Sequence, residues 1–88
     1  MKLNEVLFID NLPTLDLHGY YRQTAILAIS DFIRDNMKLK NKVIVIVHGI
    51  GSGIIRKCTH DYLRTNKNVL EFKIHYFNEG ATVVSLKF

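Results

Sequence analysis

The chain is poor in several things, and each shortage excludes something. Of its 88 residues one is cysteine, Cys58, and one is proline, Pro13. A lone cysteine excludes an internal disulfide and fits a reducing compartment. Pro13 ends the segment before it, because proline lacks an N–H and cannot sit centrally in a ladder. No apolar run is long enough to span a membrane. The start, Met1 to Phe8, lacks the long apolar stretch of a signal peptide, and Glu5 interrupts it. There is no internal repeat, low-complexity tract or linker. No Gly-Lys-Ser/Thr run is present, which argues against a P-loop. Four histidines are present, but none has zinc-ligand spacing.

What the chain does have is patterned for one small α/β domain. It is 48% hydrophobic and 23% charged, ordinary for a folded protein. A domain this size buries about 60–65% of the surface its unfolded chain exposes. Residues 1–14 read as a lead-in with strand character at Val6–Ile9, and residues 15–88 as the domain. Leu15 to His18 alternates apolar and polar, as a short strand does. Ala25, Ile26, Ile29, Phe32 and Ile33 recur at helical spacing and predict a helix over Arg22 to Asn36. Lys42 to Val47 is a β-branched run, apolar on both faces, which belongs near the centre of a sheet. Ile54, Ile55, Cys58, Tyr62 and Leu63 mark a second helix, with Ser52 as its N-cap and Cys58 on its buried side. Val69 to Phe77 alternates again. Leu70, Phe72, Ile74 and Tyr76 share one face, and Glu71, Lys73 and His75 share a face near water. Asn78-Glu79-Gly80 signals a turn. Thr82 to Leu86 is a last strand, antiparallel to its predecessor because the connection is short. Right-handed crossovers then place both helices on one sheet face. The expected fold is a two-layer α/β (α+β) sandwich of order β-α-β-α-β-β. Its mixed four-stranded sheet has one face partly open.

Two strands end in His-Gly. If they are parallel neighbours, His18, His48, Asp16 and a glycine loop meet at the carboxyl edge, where open α/β sheets bind ligands. Asp16 and His18 share a strand face. A carboxylate beside an imidazole can fix its tautomer and raise its basicity, which suits general acid–base work. The plainer reading is an Asp that caps a turn and a solvated His. Gly49, Gly51 and Gly53 sit between a strand and a helix, where unpaired N–H groups attract anions. Arg56 and Lys57 lie in that helix's first turn, where cations oppose the dipole unless an anion is expected. A tight turn with solvated basic residues fits the same pattern. The glycine spacing does not match the dinucleotide fingerprint. Asp16, His18 and His48 are also candidates to hold a divalent ion together with phosphate. Tyr20 and Tyr21 are placed either to stack on bases or to pack on the helix end. His60 falls on the polar side of its helix and is expected to be exposed. The net charge of +4 is compatible with a polyanionic partner.

Taken together, Leu15-Asp16-Leu17-His18-Gly19, the strand ending His48-Gly49-Ile50-Gly51-Ser52-Gly53, and Gly80-Ala81-Thr82-Val83-Val84 resemble the motifs of the Smr (small MutS-related) domain family. The resemblance runs from Leu15 to Lys87. It implies a fold like the C-terminal domain of translation initiation factor three. It also implies nucleic-acid binding and endonuclease or nicking activity on DNA or RNA, linked to repair and recombination or to ribosome quality control. Carried over by position, Asp16, His18 and His48 are the expected catalytic residues. Gly19, Gly49, Gly51, Ser52, Gly53, Arg56 and Lys57 are the expected phosphate contacts. No resident metal is expected, with Mg²⁺ or Mn²⁺ dependence left open. The expected partner is nucleic acid, with the ribosome as a further candidate, in the cytoplasm and away from membranes. One departure concerns Phe77 to Thr82, which is shorter and poorer in glycine than in many members, and leaves a contact by that loop open. A non-catalytic module for DNA, RNA or ribosomes is the alternative. A third reading is a protein-interaction domain that uses the apolar residues 6–12.

Overall fold

A computed structural model describes residues 11–88. The elements are β1 (Thr14–Asp16), α1 (Arg22–Lys38), β2 (Val43–Val47), α2 (Ile54–Thr65), β3 (Val69–Ile74) and β4 (Ala81–Leu86). The strands form one mixed sheet of order β1-β2-β4-β3. β1 runs parallel to β2, with Leu15 opposite Ile46. β4 is antiparallel to both of its neighbours. The short turn after β3 reverses the chain, so β4 can only return antiparallel, and it slots in beside β2. β2 and β4 are therefore central, and all six residues of β4 are buried.

Ile44, Ile46, Val84 and Leu86 form one core with Ala25, Ile29 and Ile33 of α1 and Leu63 of α2. Both helices thus cover the same sheet face, as the crossover rule requires. Leu15 and Leu17 join that core, so Asp16 projects to the other face. Each fully buried Ile or Leu contributes about 1.5–3 kcal/mol. The α1 N-terminus is closed by Thr24, whose hydroxyl accepts the Tyr21 N–H at 3.1 Å and donates to the Tyr21 carbonyl at 3.0 Å.

The second sheet face is partly open: Thr14, Asp16, Glu71 and Lys73 stand exposed on its outer strands, while Val43, Val45 and Val83 are buried at its centre, where Leu12 packs against Val43 and Val83. Two expectations about burial need correction. The β3 pattern is shifted by an irregularity in register between Val69 and Glu71. An extra residue at the start of the strand reverses the alternation there, so Val69 enters the core while Leu70 stands exposed; Tyr76, beyond the end of β3, is exposed as well. His75, expected near water, is buried. The strand expected over Val6–Ile9 lies outside the described residues. Among those described, no helix is long and apolar enough to cross a membrane.

Candidate nucleic-acid interface

Parallel pairing brings the ends of β1 and β2 together. The Leu17 N–H donates to the Val47 carbonyl at 2.8 Å, which sets His18 and His48, the next residues on each strand, at one edge. β1 then turns sharply. The Leu17 carbonyl accepts the Tyr20 N–H at 3.0 Å, and Gly19 takes φ +79°, a conformation that requires glycine in such a turn. Asp16 Oδ1 accepts the backbone N–H of His18 at 2.8 Å. The carboxylate is therefore bonded to the turn rather than to the imidazole. This is the local side-chain-to-backbone pattern common for Asp. Asp16 and His18 are both exposed.

His48 turns the other way, and this corrects the expected convergence. It continues the side of Ile44 and Ile46, toward the helices, and is buried. Its Nδ1 lies 2.9 Å from the Gly49 carbonyl oxygen and its Nε2 2.7 Å from Thr82 Oγ1. His60, from α2, places its own Nε2 2.7 Å from the same hydroxyl. A carbonyl can only accept, so His48 Nδ1 carries the proton. His48 Nε2 then accepts from the Thr82 hydroxyl, and Thr82 Oγ1 accepts from His60 Nε2–H. Each link then holds one proton, and His48, with one N–H and one accepting nitrogen, is neutral in this arrangement. The two rings meet edge-on at 5.7 Å, and the His60 ring lies 5.0 Å from Phe72. His60 is half-buried rather than exposed. The sequence does carry a signal for it. His60 lies three residues before Leu63, on the helix stripe that faces Thr82 of the buried β4.

Burial holds both histidines below their usual pKa. Charge repulsion adds to this, from Arg56 at His48 and from His48, Arg64 and Arg56 at His60. Their folded pKa values lie below the unfolded ones, so the unfolded chain binds more protons as pH falls through about 6.5. The stability they support is present above about 6.5 and is lost as pH drops toward the folded values. The thermal midpoint is expected to be lower at about pH 5.5 than at about pH 8. A His60→Gln variant, which keeps an N–H donor without titrating, is expected to show a flatter dependence in the same melts.

The loop before β4 reaches the glycine loop. The Gly80 carbonyl accepts the N–H groups of both His48 and Gly49, each at 2.9 Å. A Cβ on Gly80 would lie 3.3 Å from Gly49 Cα. The Gly49 N–H is thereby occupied and is no longer a phosphate donor. Among the described residues no acceptor meets the N–H groups of Ile50, Gly51, Ser52 and Gly53. Gly53, at φ +81°, is the N-cap of α2 in place of Ser52. The Ser52 hydroxyl accepts the Ile54 N–H at 3.4 Å. Arg56 folds back over this loop, with its guanidinium 3.4 Å from where a Cβ on Gly53 would sit. Lys57 points elsewhere. It pairs with Asp61 at 2.8 Å, holding that carboxyl below the usual range. It also lines an open groove of about 600 Å³ between the helices, shared with Ile26, Ile54, Cys58 and Tyr62. Cys58 sits half-buried in that groove rather than in the core. Among the described residues no three His, Cys, Asp or Glu side chains are grouped to hold a metal ion.

The Smr domain model matches residues 15–87, and the chain belongs to that family. It is 38% identical over 82 residues to "Endonuclease MutS2" of Brevibacillus brevis, a match that covers 89% of this chain and 10% of that protein. The chain thus spans about a tenth of the curated relatives it matches. The crystal structure of the Smr domain of Thermus thermophilus MutS2 superposes with a TM-score of 0.85 at 26% identity, over 88% of this chain and all of that one. YdaL, a stand-alone small MutS-related protein from Escherichia coli, shares the fold. Its TM-score is 0.81 at 19% identity, over 98% of this chain and 75% of that one.

Proposed function

We propose that this domain binds nucleic acid at the carboxyl edge of its sheet and cleaves a phosphodiester there. The observation that carries the reading is the run of unanswered N–H groups from Ile50 to Gly53, with Arg56 over it and the exposed His18 at the same sheet edge. The loop donors and the α2 N-terminus receive the phosphate oxygens, and Arg56 adds the nearest cation. His18 takes the proton from water, or from a ribose 2′-OH, as that oxygen attacks phosphorus. The bond to the leaving oxygen breaks, and the leaving oxygen is protonated by solvent. Asp16 fixes the turn that presents His18. His48, buried with both ring nitrogens engaged, holds the glycine loop in place. Lys57, answered by Asp61, contributes at long range only. The relatives named as endonucleases support the class of reaction. The basic charge and lone cysteine suit work on nucleic acid in a reducing, cytoplasmic setting, whether in DNA repair or on ribosome-associated RNA.

One observation favours binding without chemistry. Asp16 Oδ1 and both nitrogens of His48 are already engaged, leaving His18 as the one of the three whose side chain has no hydrogen bond among the described residues. End-labelled single- and double-stranded DNA and RNA, incubated with Mn²⁺, with Mg²⁺ and with chelator, separate the two readings. Product formation is expected. No product, with binding that weakens steeply with salt, would assign a binding module instead.

A further inference from the structure

Four exposed aromatic rings stand on the same edge as the glycine loop. Tyr20 and Tyr21, 40% and 78% exposed, follow the β1 turn, while Tyr76 and Phe77, 79% and 66% exposed, follow β3. The strand order β1-β2-β4-β3 puts the first pair at one end of this edge and the second at the other. The glycine loop leaves β2 between them. Backbone bonds tie both flanks to it. Leu17 bonds Val47 on the β1 side, and Gly80 bonds His48 and Gly49 on the β4 side. Three inter-strand steps separate the flanks, about 14 Å. The second pair is preorganised. The Tyr76 and Phe77 rings meet at 90° with centroids 4.9 Å apart, and the ring of buried His75 lies 6.1 Å from Phe77. Phe77 is held from two sides and still presents a face to solvent.

We infer that this edge is built for unpaired nucleotides. Bases stack on Tyr76 and Phe77 at one end and on Tyr20 and Tyr21 at the other, while the strand's phosphates cross the loop between. The inference rests on the phosphate-docking reading above and names its substrate class. Aromatic faces bind bases only when these are free of a duplex, whereas a duplex offers its phosphates and buries its base faces. Alternating apolar rings and anion donors along one line therefore selects a single strand, a loop or a flap. The π-faces and phosphates are common to DNA and RNA.

The test is a binding titration of the intact chain against single-stranded oligodeoxyribonucleotides and oligoribonucleotides of about ten nucleotides, alongside the matching duplexes. The wild type is expected to prefer the single strands. The double variant Tyr76→Ala, Phe77→Ala is expected to bind them at least about tenfold more weakly, with duplex binding changed less than about twofold. The single variant Tyr76→Phe is expected to keep the preference, since the ring and not the hydroxyl stacks. Both residues are exposed, so the melting midpoint serves as a control for folding. Equal binding of single strand and duplex, unaffected by the variants, would overturn this inference and leave phosphate docking intact. Absence of any salt-sensitive binding would overturn both. A wild-type dimer that dissociates in the double variant, seen by sedimentation, would give the rings to a second copy of the chain and overturn the stacking role.

Discussion

Thr82→Val is expected to lower the stability of the domain by about 2–4 kcal/mol, although valine has nearly threonine's shape. The Thr82 hydroxyl joins His48 and His60 at 2.7 Å each, at a position with no solvent exposure. Valine removes the hydrogen that His48 Nε2 accepts and the lone pair that receives His60 Nε2–H. Each buried polar group left without a partner costs about 1–3 kcal/mol. In a domain of this size that corresponds to a fall of roughly 10–25 °C in the melting midpoint. Thr82→Ser keeps the hydroxyl, loses one methyl group, and is expected to cost only about 1 kcal/mol. Thermal and denaturant melts of the three proteins check this. A valine variant that melts with the wild type would show that the two imidazoles do not depend on the hydroxyl. The effect also reaches the interface, because the Gly49 carbonyl is held by His48.

His18→Ala is expected to reduce cleavage by about 10²–10⁴-fold, the usual contribution of a general acid–base group. The side chain is exposed, so the melting midpoint is expected to change little. Asp16 separates charge from geometry. Asp16→Asn retains an oxygen for the His18 N–H and is expected to keep activity within about tenfold. Asp16→Ala loses that bond, worth about 1 kcal/mol, and is expected to fall further as the turn loosens. Equal activity in wild type and His18→Ala would remove His18 from the reaction. A collapse of activity in Asp16→Asn would make the carboxylate's charge, rather than its hold on the turn, the working feature.

Much of the fold was legible because periodicity decides which face of an element is apolar. The run Lys42 to Val47 reads as central, and β2 is central. The helix-facing stripe of α1 was visible at Ala25, Ile29 and Ile33. What escaped was what depends on one residue of register or on a partner distant in sequence. The irregularity at Val69–Glu71 moves Leu70 out of the core, and no composition signal marks it. Leu12 covers Val43 and Val83 from outside the periodic segments. At the site, the two His-Gly strand ends were correctly placed on one edge, because parallel pairing follows from the crossover. The side chains were not, since strand alternation sends His48 and Asp16 to opposite faces once the register is fixed. The pairing of Thr82 with His48 and His60 spans 34 and 22 residues of sequence, and local pattern cannot announce it. The four aromatic residues were visible, but only the strand order sets them on either side of the glycine loop.

The central claim is that nucleic acid docks on the edge formed by the β1 turn, the glycine loop and the loop before β4. Amide chemical-shift mapping during titration with a single-stranded oligonucleotide tests it without requiring turnover. The account predicts shifts concentrated at residues 18–21, 48–53 and 76–80, the largest at Ile50 to Gly53, where the N–H groups await an acceptor. Shifts clustered instead at the opposite end of the sheet, around residues 39–42 and 66–68, would contradict it.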